Sequence, residues 1–132
     1  MSCEILKQNR FGFWQKRQLQ LTSYRLLNLN GNFVNRSIPL SKIQALTKST
    51  QANNQNFIIH VEDDYDSVFK CEDRDELIES IRKCYHEKLS QDLHVFGIDG
   101  KIEQFVTPKQ GTMIDFRKAK SILPPDEYLL TE

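Results

Sequence analysis

Lys16 and Arg17 stand together near the start of Trp14-Gln15-Lys16-Arg17-Gln18-Leu19-Gln20-Leu21-Thr22-Ser23, a run whose later residues alternate polar and apolar. Two cations on an extended segment, beside the aromatic loop Phe11-Gly12-Phe13, are residue types suited to holding an anion. Arg grips a phosphate through paired hydrogen bonds, while Lys supplies a movable point charge. A period of two puts Leu19 and Leu21 on a core face and sends Lys16, Gln18 and Gln20 outward. On that phase Arg17 falls on the core side at the rim.

The charge distribution supports looking here. Residues 1–50 carry eight Lys or Arg against one acid, Glu4, whereas residues 51–100 carry five bases against twelve acids. Segregation of this kind sets up an electric dipole if the two segments occupy different parts of the fold. A formal net charge of zero argues against a general nucleic-acid binder, which is usually strongly basic. Cys3, Cys71 and Cys84 are odd in number and irregularly spaced, which suits reduced thiols in a cytoplasmic protein. Neither a bilayer-length apolar run nor a signal-peptide apolar region is present in the sequence.

Catalytic and metal chemistry find little support. Cys84-x-His86 lacks zinc-site spacing, and His60 lies inside an apolar strand as a satisfied or outward-facing imidazole. Asp63, Asp64 and Asp66 lack the Gly and distal Glu of a calcium loop. The sequence holds no Gly-rich phosphate loop or nucleophile elbow. It therefore reads as a non-enzyme with no cofactor and no metal.

The elements that must position the cations are mostly strands. Glu4 to Lys7, Gln15 to Thr22, Tyr24 to Leu29 and Phe33 to Ile38 read as the first four, with Asn30-Gly31-Asn32 as turn chemistry. Pro39 marks a bend or an edge, and a fifth strand lies within Ser41 to Lys48. After a polar loop from Ser49 to Asn56 come Phe57 to Val61 and Asp66 to Cys71. The apolar period then changes to that of a helix through Leu77, Ile78, Ile81, Cys84, Tyr85 and Leu89. Asp73 and Glu76 have capping-box spacing. Beyond it, Leu93 to Ile98 and Lys101 to Thr107 flank Asp99-Gly100 as an expected hairpin. Gln110-Gly111 reads as a turn, Met113 to Phe116 as a strand, and Pro124-Pro125 as the end of regular structure.

Seven short antiparallel strands and one amphipathic helix resemble the pleckstrin-homology superfold. That fold is a mainly β architecture, a curved seven-stranded sandwich or barrel capped by a C-terminal helix. Trp14-x-Lys16-Arg17-x-Leu19-x-Leu21-Thr22 looks like its second strand, and Ile38-Pro39-Leu40-Ser41-Lys42-Ile43 is similar to its fourth strand and following turn. A closer resemblance, from about Lys7 to Phe116, is to the tail homology domain of class I myosins. It rests on Phe57-Ile58-Ile59-His60-Val61 with Asp66, Cys84-Tyr85-His86-Glu87, Asp92-Leu93-His94-Val95-Phe96 and Gly111 to Phe116. The resemblance implies a core over 1–91, a C-terminal β-hairpin and strand extension over 92–123, and an extended tail over 124–132. It carries over no motor, no calmodulin-binding neck and hence no actomyosin activity.

The resemblance also implies a ligand. In such domains acidic lipid head groups sit in an open end between the first two strands. Lys7, Lys16 and Arg17 match the contacting positions, with Arg10 and Arg25 as further candidates. Phe11, Phe13 and Trp14 form a candidate membrane-inserting loop, the alternative being that Trp14 packs over its own sheet. Gln15 and Gln18 stand where the inositide pattern of the family would place basic residues. Two readings remain open. One is a peripheral phosphoinositide-binding module linking membrane and cytoskeleton. The other is a protein-interaction adaptor, or small subunit of a cytoskeletal or ciliary-type assembly, without lipid binding.

Overall fold

The computed structural model describes residues 1–9 and 11–107, together with the backbone of Leu129–Leu130. Seven strands come first: β1 (Ser2–Gln8), β2 (Trp14–Leu21), β3 (Arg25–Asn30), β4 (Phe33–Pro39), β5 (Ile43–Ser49), β6 (Asn56–Val61) and β7 (Ser67–Lys70). Helix α1 (Arg74–Leu89), β8 (Val95–Ile98) and β9 (Leu129–Leu130) follow. All nine strands belong to one curved sheet in the order β4-β3-β2-β1-β7-β6-β5-β8-β9, which does not close on itself. Pairing is antiparallel except for β5 with β8.

The alternation in β2 does what its pattern predicts. Leu19 is buried, and the β1–β2 register sets Cys3 opposite Leu19, Ile5 opposite Arg17 and Lys7 opposite Gln15. Cys3, Ile5, Lys7, Gln15, Arg17 and Leu19 therefore share the core side of the ladder, and Leu6, Trp14 and Lys16 the other. Helix α1 covers the core side with Leu77, Ile78, Ile81 and Tyr85, joining a cluster that includes Ile5, Leu19, Leu26, Phe57 and Phe69. Burying four such side chains contributes about 1.5–3 kcal/mol each, which is what ties the helix to the sheet.

Three local expectations are corrected. Asp73 does occupy the position before α1, yet its side chain makes no capping hydrogen bond. Instead the helix start is tied down by Arg74, whose Nη1 donates to the carbonyls of Ser49 (2.8 Å), Asn54 (2.9 Å) and Asn56 (3.3 Å). Ser41 and Lys42 belong to a 3-10 turn (Leu40–Lys42) that buries Leu40 before β5 begins. Lys101 to Thr107 is not the returning arm of a hairpin: a 3-10 turn at Glu103–Phe105 takes its place. The reason is spacing. Ile102, Phe105 and Val106 are three and four residues apart, and they pack together on Ile58, Val68 and Ile98 as a second apolar cluster. The expected turn at Gln110-Gly111, the strand Met113 to Phe116 and the stop at Pro124-Pro125 lie outside the described residues.

That second cluster is fastened by a buried polar junction. His60 Nδ1 lies 2.9 Å from Asp66 Oδ2, and His60 Nε2 lies 2.6 Å from Thr47 Oγ1. Asp66 also accepts the N–H groups of Val61 (2.9 Å) and Thr107 (3.0 Å), and its own N–H donates to the Thr107 carbonyl at 2.7 Å. Both ring nitrogens of His60 and both carboxylate oxygens of Asp66 find partners if Nδ1–H faces the carboxylate and Thr47 donates to Nε2. His60 is thus a satisfied structural imidazole, closed to any substrate.

Candidate anion-binding site

The β-ladder brings together two lysines that are 54 positions apart in sequence. Leu6 of β1 pairs with Lys16 of β2 on one side and with Lys70 of β7 on the other. Adjacent strands lie about 4.8 Å apart, so the two lysine backbones flank Leu6 at roughly 10 Å from each other. Lys70 is further oriented by Trp14, its Nζ standing 4.5 Å from the ring centroid. A cation over an indole face is attracted by the ring quadrupole, which fixes an otherwise flexible ammonium.

This row lines an open basin of about 1050 Å3. Arg17 lines it too, its Nη1 donating to the Lys16 carbonyl at 2.6 Å. The β3–β4 turn at Asn30-Gly31 and the polar β5–β6 loop, Gln51 to Asn56, complete the walls. Glu4 and Glu72 are the acids of the lining. Among the described residues, no ion pair joins Lys16, Arg17 or Lys70 to a carboxylate.

The other sequence-selected residues are distributed differently. Lys7 pairs with Gln15 and Phe69 on the core side of the ladder and does not line the basin. Arg25 sits at the β2–β3 turn, at the opposite end of β2 from the β1–β2 loop, where its Nη1 donates to Ser37 Oγ at 3.0 Å. Arg10 lies outside the described residues. Phe11 and Phe13 are 71% and 70% exposed. Trp14, by contrast, is half-buried and packs against the second apolar cluster.

Two features escaped sequence reasoning. Lys70 lies far from the basic N-terminal segment, and only the β1–β7 pairing places it beside Leu6. Arg36 of β4 reaches the β6–β7 loop, bonding the Tyr65 carbonyl (2.7 Å) and pairing with Asp64 (3.3 Å). Its guanidinium also stacks 3.7 Å from the Tyr65 ring centroid. This cation is committed to holding the loop. No sequence signal distinguishes it from Lys16.

Residues 1–129 match the unconventional myosin tail family, described as actin- and lipid-binding. The chain belongs to that family. No match was found among curated protein sequences. Solved pleckstrin-homology domains superpose on this myosin-tail chain. One is that of human oxysterol binding protein-related protein 11, with a TM-score of 0.56 at 12% identity, covering 68% of this chain and 82% of that one. The C-terminal domain of pleckstrin, solved with D-myo-Ins(1,2,3,5,6)P5, gives 0.53 at 18% identity over 64% and 93%. The Slm1 domain, solved with inositol-4-phosphate, gives 0.51 at 15% identity over 64% and 92%. At these identities the likeness is one of fold, and it establishes the pleckstrin-homology-like architecture of the myosin-tail chain. The family's description, actin- and lipid-binding, is that of a binding module.

Proposed function

We propose that this chain is a non-enzymatic module that associates peripherally with acidic phospholipids, phosphoinositides among them, through the basin bearing Lys16, Arg17 and Lys70. In this reading residues 1–91 are the core that carries the site, 92–123 its C-terminal extension and 124–132 the tail. The observation that carries the reading is the pair of lysines flanking Leu6, with Arg17 on the same basin and no carboxylate partner for any of the three among the described residues. Lys7 and Arg10 remain contributors at the β1–β2 end, whereas Arg25, at the far end of β2, is a weaker one. The family's description as lipid-binding, and the inositol phosphates held by pleckstrin and Slm1 domains, support the ligand class. No helix among the described residues is long and apolar enough to cross a membrane.

Magnitudes shape the expectation. Each basic side chain near an anionic leaflet contributes about 1 kcal/mol. Three give about 3 kcal/mol, short of the ~4 kcal/mol of millimolar binding. Glu4 and Glu72 reduce that further. A multivalent head group, or a second source of affinity, is needed.

Vesicle sedimentation tests the reading. Lys16→Glu with Lys70→Glu should abolish retention on phosphoinositide vesicles while leaving the melting temperature near that of the parent chain. Undiminished retention in that variant would remove the basin from the account. The family's actin-binding description supports a second contact, with the actin cytoskeleton, measured by co-sedimentation with filaments.

A further inference from the structure

Asn30 is followed by Gly31, and this is the one Asn-Gly step in the chain. Asn30 ends β3 and is exposed, and its pairing with Phe33 leaves Gly31 and Asn32 as a two-residue turn outside the ladder. Gly31 takes φ +60°, the conformation such a turn needs at its first central position. A side-chain carbon placed there would meet nothing within 4 Å, so the turn is open on that side. The hairpin end is also weakly held. β4 is an edge strand, and the register slips between Asn28 and Leu29, so two pairs, Leu29 with Val34 and Asn30 with Phe33, lie beyond the irregularity. A strand end of this kind opens locally at low cost. Asn53 and Asn54, on the facing loop of the basin, are instead followed by Asn54 and Gln55, whose side chains screen the next nitrogen.

The charge balance around the basin is narrow. Its lining sets three cations, Lys16, Arg17 and Lys70, against two acids, Glu4 and Glu72, an excess of one positive charge. Asn30 belongs to the same lining. Leu29 pairs with Gln18, so the next residue, Asn30, comes level with Arg17 on the neighbouring strand.

We propose that Asn30 is a site of intramolecular deamidation, and that its conversion to a carboxylate cancels the net charge of the basin and weakens its hold on an anionic ligand. The proposal rests on the lipid reading above and adds the regulation of that same site. The Gly31 nitrogen gives its proton to a solvent base and attacks Cγ of Asn30. A new C–N bond closes a five-membered succinimide as the Cγ–Nδ2 bond breaks, and the amide nitrogen leaves as ammonia with a proton from water. Water then opens the ring. Addition at one carbonyl leaves aspartate at position 30, and addition at the other leaves isoaspartate, whose backbone runs through the β-carbon. No oxidant or reductant takes part. Both products place a carboxylate level with Arg17, where an internal ion pair competes with a phosphate for the guanidinium. Isoaspartate also adds an atom to the backbone at the strand end, which disturbs the pairing with Phe33.

The test uses the full chain, incubated at mildly alkaline pH and sampled over days by peptide mapping and by sedimentation with phosphoinositide vesicles at low salt. Aspartate and isoaspartate should accumulate at position 30 well ahead of Asn53 and Asn54, and vesicle retention should fall in step. Asn30→Gln, whose longer side chain closes the ring far more slowly, should hold its own starting retention through the same incubation. Asn30→Asp supplies the charge without the backbone change. It should weaken retention at least about fivefold, with a melting temperature near that of the parent. Conversion at position 30 no faster than at Asn53 and Asn54 overturns the proposal, as does an equal decline of retention in Asn30→Gln. Parent-like retention of Asn30→Asp also overturns it, and does so alone if Lys16→Glu with Lys70→Glu still abolishes binding and so upholds the basin. Undiminished retention in both variants would remove the basin and its regulation together.

Discussion

At the junction between β6 and the segment after β8, both ring nitrogens of His60 and both carboxylate oxygens of Asp66 lie within 3.0 Å of a partner, and both residues are buried. In the basin, Lys16 and Lys70 flank Leu6, and among the described residues neither meets a carboxylate. The difference follows from solvent. A polar group closed off from water costs free energy unless it is paired within the protein, so the junction had to be completed internally. Charges on an open basin remain hydrated and can exchange water for a ligand. Substitutions should therefore divide cleanly, with junction variants losing stability and basin variants losing ligand.

The largest expected effect breaks the junction. Asp66→Ala removes the acceptor of three hydrogen bonds and leaves His60 buried without its partner, a loss of about 3 kcal/mol or more in denaturant unfolding. A cost below about 1 kcal/mol would mean that the two regions do not differ as described. A smaller effect, of opposite sign, sharpens the basin side. Glu4→Gln with Glu72→Gln should strengthen binding to anionic vesicles by about 1 kcal/mol or less per site, with no matching change in stability. Weakened vesicle binding would show that these acids help to shape the site rather than oppose it.

Much of this was legible along the chain. The alternation of Lys16 to Leu21 fixed which β2 residues face the core, and the helical stripe from Leu77 to Leu89 located α1, because both patterns are local and periodic. Lys70 was not legible as a site residue, since its place beside Leu6 depends on a pairing between distant segments. Arg36 and Lys16 look alike in sequence, and only the approach of Asp64 and Tyr65 separates a structural cation from an available one. At Asp99-Gly100 the chain bends without closing a hydrogen-bonded turn. The signal failed as a hairpin because β8 pairs with β5 and β9 instead.

The smallest effect concerns the thiols at the basin's edge. Cys3 and Cys71 lie with sulfurs 3.6 Å apart. Burial pushes the Cys3 thiol up to about 12, helped by the hydrogen bond with Cys71 and by the nearby Cys71 and Asp73 charges. A folded value above the unfolded one contributes stability that is fully present below pH 9 and declines as pH rises towards 12. Unfolding free energy should therefore fall over that alkaline window in the parent chain, and less so in Cys3→Ser. Alkylation of Cys3 at neutral pH should be at least about tenfold slower in the native protein than in denaturant. Equal rates would place Cys3 with the open basin.

The most direct test of the central claim is an amide chemical-shift titration of the intact chain with a soluble inositol polyphosphate. The account predicts that the largest shifts fall on Leu6, Lys16, Arg17 and Lys70 and on the loop from Gln51 to Asn56, with saturation that weakens as salt is raised. Shifts centred instead on Arg25 and Ser37, or the absence of any saturable shift at low salt, would contradict it.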